Sequence, residues 1–251
     1  MTNPFDLSGR VAMVTGANTG IGQSVALALA AAGADIVAVG RTPAHETVAG
    51  AQALGRRAMI ISADLSSTKP VRRVVEETLQ EFGHLDILVN NAGIIRRAAA
   101  LEFTEEDWDS VIDTNLKTAF FLSQAAGRHM LKQASGSIIN IASMLTFQGG
   151  VRVASYTASK SGLGGLTKLL ANEWAGQGVN VNAIAPGYIT TNNTAALRAD
   201  PVRNQAILDR IPAGRWGAPA DIGGAAVFLA SDAARYVHGH ILAVDGGWLA
   251  R

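Results

Sequence analysis

Cysteine is absent from the 251 residues, which excludes disulfides and thiolate metal sites and fits a reducing compartment. An excess of charge is also missing. Lys and Arg number 21 against 20 Asp and Glu, a net charge of +1, so no basic field points to nucleic acid or to a membrane surface. The most apolar run, Ala26 to Ala34, is too short to span a bilayer, so no membrane partner is expected. The opening MTNPFDLSGR lacks a basic segment followed by an apolar one, and a cytoplasmic location is therefore expected. Internal repeats and low-complexity tracts are lacking. His45, His84, His129, His238 and His240 show no ligand spacing with carboxylates, so no metal is expected. What remains is a mid-sized chain, 48% hydrophobic, enough for one sizeable core. A single domain over 1–251 acting on a small metabolite is the reading.

The stretch from Ser143 to Lys160, SMLTFQGGVRVASYTASK, carries the most chemistry. Tyr156 and Lys160 are spaced i, i+4, and on a helix they share a face. A free phenol has a pKa of roughly 10, and proton transfer near neutrality needs a value closer to ~7. An adjacent ammonium is expected to lower it. Ser143, delivered by the preceding apolar strand, would hydrogen-bond the same substrate oxygen. Near the start, Arg10–Thr15 reads as a strand and Ile21–Ala32 as a helix, with Gly16, Gly20 and Gly22 between or at the edge. Strand, glycine turn and helix make a phosphate-binding loop, in which free N–H groups and the helix dipole meet a pyrophosphate. The spacing is GxxxGxG, not GxGxxG, and a plain tight turn is the alternative.

Tyr156-x-x-x-Lys160 with Ser143, the segment Thr15-Gly16-Ala17-Asn18-Thr19-Gly20-Ile21-Gly22, and Asn90-Asn91-Ala92-Gly93 together resemble a short-chain dehydrogenase/reductase over nearly the whole chain. The resemblance implies an α/β fold, a doubly wound Rossmann-type parallel sheet of about seven strands with helices on both faces. It implies hydride transfer between a nicotinamide cofactor and a carbonyl or alcohol, with Ser143 orienting the oxygen, Tyr156 moving the proton and Lys160 also holding the nicotinamide ribose. Asn115 is implied as a fourth catalytic member, linked to Lys160 through water. Gly16, Asn18, Thr19, Gly20, Ile21 and Gly22 would hold the cofactor, with Asp64 and Leu65 by the adenine and Asn91, Ala92 and Gly93 near the nicotinamide. Pro186, Gly187, Ile189 and Thr191, in a PG motif after the sixth strand, would cover it. Asp64 capping a helix that begins near Thr68 is the alternative for that carboxylate.

Cofactor choice is divided. Gly40 lacks the acid that would take a ribose 2′-hydroxyl, and Arg41 could hold a 2′-phosphate or stack on adenine. Thr19 carries no charge, and the subgroup resemblance below implies NAD(H), which is favoured over NADP(H). Residues 188–217 form a long polar excursion marked by proline and glycine, expected to be a substrate lid. Arg96 and Arg97, in GIIRR, are placed to fork onto a substrate carboxylate or to lie in solvent or a subunit contact. Gln148 and Arg152 would face substrate or serve the loop. The segments NNAGIIRR, ASMLTFQGG, APGYITTNN, DRIPAGRWG and AVDGGWLAR resemble the bacterial deoxygluconate dehydrogenases, which act on uronate-derived keto-sugar acids. That resemblance implies a small keto-sugar acid as partner, Arg96, Arg97, Arg152 and Arg215 as candidates for its carboxylate, and a homotetramer. A 3-oxoacyl carrier-protein reductase and a non-catalytic cofactor-binding regulator are the rivals.

Overall fold

The computed structural model describes residues 3–251, so Met1 and Thr2 of the opening stretch lie outside it. The described strands are β1 (Val11–Thr15), β2 (Asp35–Gly40), β3 (Ala58–Ser62), β4 (Ile87–Asn90), β5 (Gly136–Ile141), β6 (Val179–Pro186) and β7 (Ile241–Val244). They pair in the order β3-β2-β1-β4-β5-β6-β7, every pair parallel. The helices are α1 (Gly20–Ala31), α2 (His45–Ala53), α3 (Val71–Phe82), α4 (Glu105–Ile112), α5 (Thr118–Gln133), α6 (Ala154–Trp174), α7 (Ala195–Ala199), α8 (Pro201–Leu208) and α9 (Ala220–Ala230).

Strand side chains alternate, and each face has its own apolar layer. Ala12 and Val14 of β1 join Leu29 of α1 and Ile222 and Leu229 of α9 on one side. Val11 and Met13 join Val74 of α3, Leu122 of α5 and Leu170 of α6 on the other. The doubly wound expectation is met, and crossovers that alternate between faces bring the carboxyl ends of all strands to one edge.

The first strand and helix, expected over Arg10–Thr15 and Ile21–Ala32, lie within one residue of those bounds. In α3, Val71, Val74, Val75 and Phe82 are buried, and the buried Thr78 satisfies its hydroxyl on the Val74 carbonyl at 2.9 Å. Thr104 caps α4, its side chain accepting from Asp107 N–H at 3.2 Å. A π-helical turn, Asp113–Lys117, separates α4 from α5 and contains Asn115. Among the described residues no helix is long and apolar enough to cross a membrane, and no cluster of acids and histidines could hold a metal.

Candidate active site

The strand ends open into a cleft of about 630 Å³. Its floor begins at the glycine loop. Gly16 and Gly20 have φ of +64° and +60°, which side-chain-bearing residues rarely adopt, and a Cβ on Gly22 would stand 2.2 Å from the Gly16 carbonyl oxygen. The loop is stitched to β4. Thr15 Oγ1 accepts from the N–H groups of Asn91 and Ala92, both at 2.9 Å, and Asn91 Nδ2 donates to the carbonyls of Thr15 and Gly16 at 2.9 and 3.1 Å. From the other side Thr47 on α2 donates to the Ala17 carbonyl at 2.6 Å. Thr19, the residue before α1, makes no side-chain cap, so the first N–H groups of α1 are left for an anion. A Cβ on Gly20 would meet nothing nearer than Thr191 Cγ2 at 3.5 Å, in the cleft mouth. This cradle fits the pyrophosphate of a dinucleotide.

The cleft is lined by Gly16, Asn18, Thr19, Gly20, Ile21 and Gly22, by Asn91, Ala92 and Gly93, by Ser143, Tyr156 and Lys160, and by Pro186, Gly187, Ile189 and Thr191. Those predicted residues therefore converge. Asp64, Leu65 and Arg41 lie outside that lining, at the ends of β2 and β3. Asp64 does not cap α3, which starts behind Pro70. Its carboxylate accepts from Ser66 N–H at 3.0 Å, and that bond first, with the Arg41 charge after it, keeps it below the usual carboxylate range.

Helix α6 sets Tyr156 and Lys160 on one face. The Lys160 ammonium is buried, donates to the Ile141 carbonyl at 2.6 Å and lies 5.6 Å from the centre of the Tyr156 ring. Burial lowers its pKa to about 8. The phenol, too, is governed by desolvation, which raises it above its ordinary value, while the neighbouring Ser143 hydroxyl and then the Arg97 charge pull it back. This corrects one expectation: burial outweighs the neighbouring charges, so the phenol stands above its ordinary value even with the ammonium 5.6 Å from its ring.

Asn115 lies in the π-helical turn and is buried. Its amide clamps the backbone of Ile94, accepting from the N–H at 2.8 Å and donating to the C=O at 2.9 Å, with a longer bond to Ser159 Oγ at 3.3 Å. The clamp holds the loop that carries the two arginines. Arg96 is tied to Asp107 at 3.0 Å, whereas Arg97 donates at 3.3 Å to the carbonyl of Asn193, which lines the cleft. Arg152 is exposed with φ of +64°, and its carbonyl accepts from Ala98 N–H at 3.1 Å. Arg215 is engaged by Asp221 through two bonds of 2.7 and 3.0 Å. Gln148 accepts from Trp248 Nε1 at 3.4 Å. Arg96 and Arg97, adjacent on the loop, are thus held by different partners, Asp107 and Asn193.

A family model described as Enoyl-(Acyl carrier protein) reductase, of the short-chain dehydrogenase type, matches residues 16–249. The chain belongs to the short-chain dehydrogenase/reductase family. As a member it is an NAD(P)-dependent oxidoreductase, which removes the non-catalytic rival. It is 59% identical over 248 residues to the 2-dehydro-3-deoxy-D-gluconate 5-dehydrogenase of Escherichia coli K12, covering 98% of each chain. It is 56% identical to the enzyme of that name from Bacillus subtilis 168, covering 98% of this chain and 97% of the other. A gluconate 5-dehydrogenase from Burkholderia cenocepacia J2315, solved with NADP and tartrate, superposes with a TM-score of 0.94 at 38% identity, over 99% of this chain and 98% of the other. The carrier-protein reductase reading fits less well, its example from Synechocystis being 44% identical.

Proposed function

We propose that this short-chain dehydrogenase interconverts the keto and hydroxy forms of a small deoxy-ketogluconate or related sugar acid. The carrying observation is that Ser143, Tyr156 and Lys160 share one cleft with the glycine loop, while Arg97 stands at its rim and donates to the carbonyl of cleft-lining Asn193 at 3.3 Å. A guanidinium there suits a carboxylate-bearing substrate. The 2-dehydro-3-deoxy-D-gluconate 5-dehydrogenase names of the relatives support the same substrate class.

Held by these residues, a nicotinamide cofactor would supply or accept the hydride at the substrate carbon. Ser143 holds the substrate oxygen, and Tyr156 donates its phenolic proton to that oxygen in reduction or, as phenolate, removes it in oxidation. Lys160 and the clamp made by Asn115 keep the phenol and the arginine loop in register. The glycine loop and α1 take the pyrophosphate, and Asp64, Leu65 and Arg41 the adenosine end. Gly40 presents no carboxylate against a 2′-phosphate and Arg41 is exposed, so NADP(H) is accepted as well as NAD(H), while the uncharged Thr19 leaves NAD(H) without penalty. Residues 188–217 act as the lid. The exposed Phe121 of α5 and Leu169 of α6 supply apolar surface for a homotetramer.

The test is a panel of keto-sugar acids assayed with NADH and NADPH, with an acetoacetyl thioester as contrast. Turnover confined to the thioester would end the substrate reading. Arg97→Gln should raise KM for the acid by about 10- to 100-fold. It should also move the pH profile. Removing a positive charge raises the phenol further, so the limb on which oxidation gains rate with deprotonation shifts to higher pH. An unmoved limb and an unchanged KM would remove Arg97 from the site.

A further inference from the structure

One aromatic cluster takes no part in the chemistry above. Tyr188 sits between two indoles, its ring centre 5.4 Å from Trp216 and 4.7 Å from Trp248. The Arg210 guanidinium lies 3.9 Å over the Trp248 ring. Trp248 is only 4% exposed and packs with Met144, Ile207 and Ile211. Its position is built from below: Asp245 accepts from the N–H groups of Gly247 and Leu249, both at 2.9 Å, and the Gly246 carbonyl accepts from Ala213 N–H at 3.0 Å. Trp216 in turn donates to Asn204 Oδ1 at 2.7 Å.

Two segments that continue from the cleft lining and a third, α8, thus meet at one ring. Met144 and Gln148 belong to the turn that follows Ser143, Tyr188 lies between the cleft-lining Gly187 and Ile189, and Ile207 and Arg210 belong to α8 and its exit. An indole N–H only donates, so Gln148 must turn its carbonyl oxygen to Trp248, and its amide NH₂ is the end left over. A neutral donor complements carboxylate and hydroxyl oxygens.

We propose that Trp248 is a positioning residue for substrate binding, locking α8 and the 188–194 segment against the turn that carries Ser143 and orienting Gln148 as a hydrogen-bond donor to the substrate. The donor role rests on the sugar-acid reading, and the locking role does not.

The experiment compares four variants: Trp248→Phe, which keeps an aromatic ring and loses the N–H, Trp248→Leu, Gln148→Leu, and the double variant that joins Trp248→Phe to Gln148→Leu. Measured are KM for the sugar acid, kcat, cofactor Kd, and tryptic cleavage at Arg198, Arg203 and Arg210. Gln148→Leu, which removes the donor, should raise KM about 5-fold, Trp248→Phe, which only frees it, somewhat less, and the double change no more than Gln148→Leu, since orientation matters only while the donor is present. Trp248→Leu should raise KM at least ~20-fold and speed cleavage about 10-fold, with kcat within about 3-fold and cofactor Kd unchanged. Additive single changes, or cleavage and KM left as in the parent by Trp248→Leu, would overturn the proposal, as would an equal loss of kcat and cofactor affinity. If the parent enzyme reduces no sugar acid, the substrate reading falls, and the cleavage rates alone decide whether Trp248 locks α8.

Discussion

Asn91 on the floor of the cleft spends both hydrogens of one amide on consecutive carbonyls of the glycine loop, and Thr15, Thr47 and the buried strands close round it. The segment over the mouth is held otherwise. Residues 188–194 are fixed at one end by the Gly217 backbone, through Thr190 N–H at 2.8 Å and the Tyr188 carbonyl at 2.9 Å. Tyr188 is packed between Trp216 and Trp248 and Ile189 is buried in the main core, but from Thr190 on the segment relies on its own hydroxyls and on two arginines: Thr194 donates to the Ile189 carbonyl at 2.7 Å, Arg198 to Thr191 and Arg97 to Asn193, both at 3.3 Å. Helices α7 and α8 beyond it bury little apart from Ile207. The floor is pre-organised for a cofactor whose shape does not change, and the cover is left weak enough to admit and release a substrate.

The contrast can be broken in three places. The largest effect belongs to Tyr156→Phe, which removes the proton and leaves the floor intact. Turnover should fall by about 10² to 10⁴ with cofactor Kd preserved in a fluorescence titration. Near-parental turnover would take Tyr156 out of the chemistry. Gly22→Ala tests the floor itself. A methyl 2.2 Å from a carbonyl oxygen cannot be absorbed by a flexible side chain, so the loop must shift. A loss of about 1–3 kcal/mol of stability and at least ~10-fold in cofactor affinity is expected from thermal melts and Kd. Thr194→Val tests the cover, trading a hydroxyl for a methyl where the bonds stay local. The cost should be about 1 kcal/mol or less, seen as a rise of a few-fold in cofactor KM with almost no change in Tm. A Tm loss equal to that of Gly22→Ala would mean that floor and cover are one cooperative unit.

Much of the site was legible because it depends on short-range rules. A β-branched run, a glycine turn and an alanine-rich helix must lie in that order if the turn is to bind phosphate, and Gly16, Gly20 and Gly22 do so. The i, i+4 pair Tyr156 and Lys160 needed only that α6 be helical. Helix α2 escaped notice because its buried residues, Thr47 and Ala51, make no large apolar stripe. The π-turn at Asn115 left no mark, since it is set by the packing of the α4–α5 segment against α6. Side-chain pairing was invisible for the same reason: nothing in GIIRR says that Arg96 goes to Asp107, further along the chain, and that Arg97 goes to the lid.

Short apolar runs and the spacing of a few glycines, together with Tyr156 and Lys160, determined the nucleotide loop and the chemistry at its edge, because each is set within a few residues of chain. Tertiary structure alone decided how far burial governs the Tyr156 phenol, which way the Lys160 ammonium points and where Trp248 lodges. Those depend on desolvation and on partners drawn together from distant parts of the chain, and neither is a property of neighbouring residues.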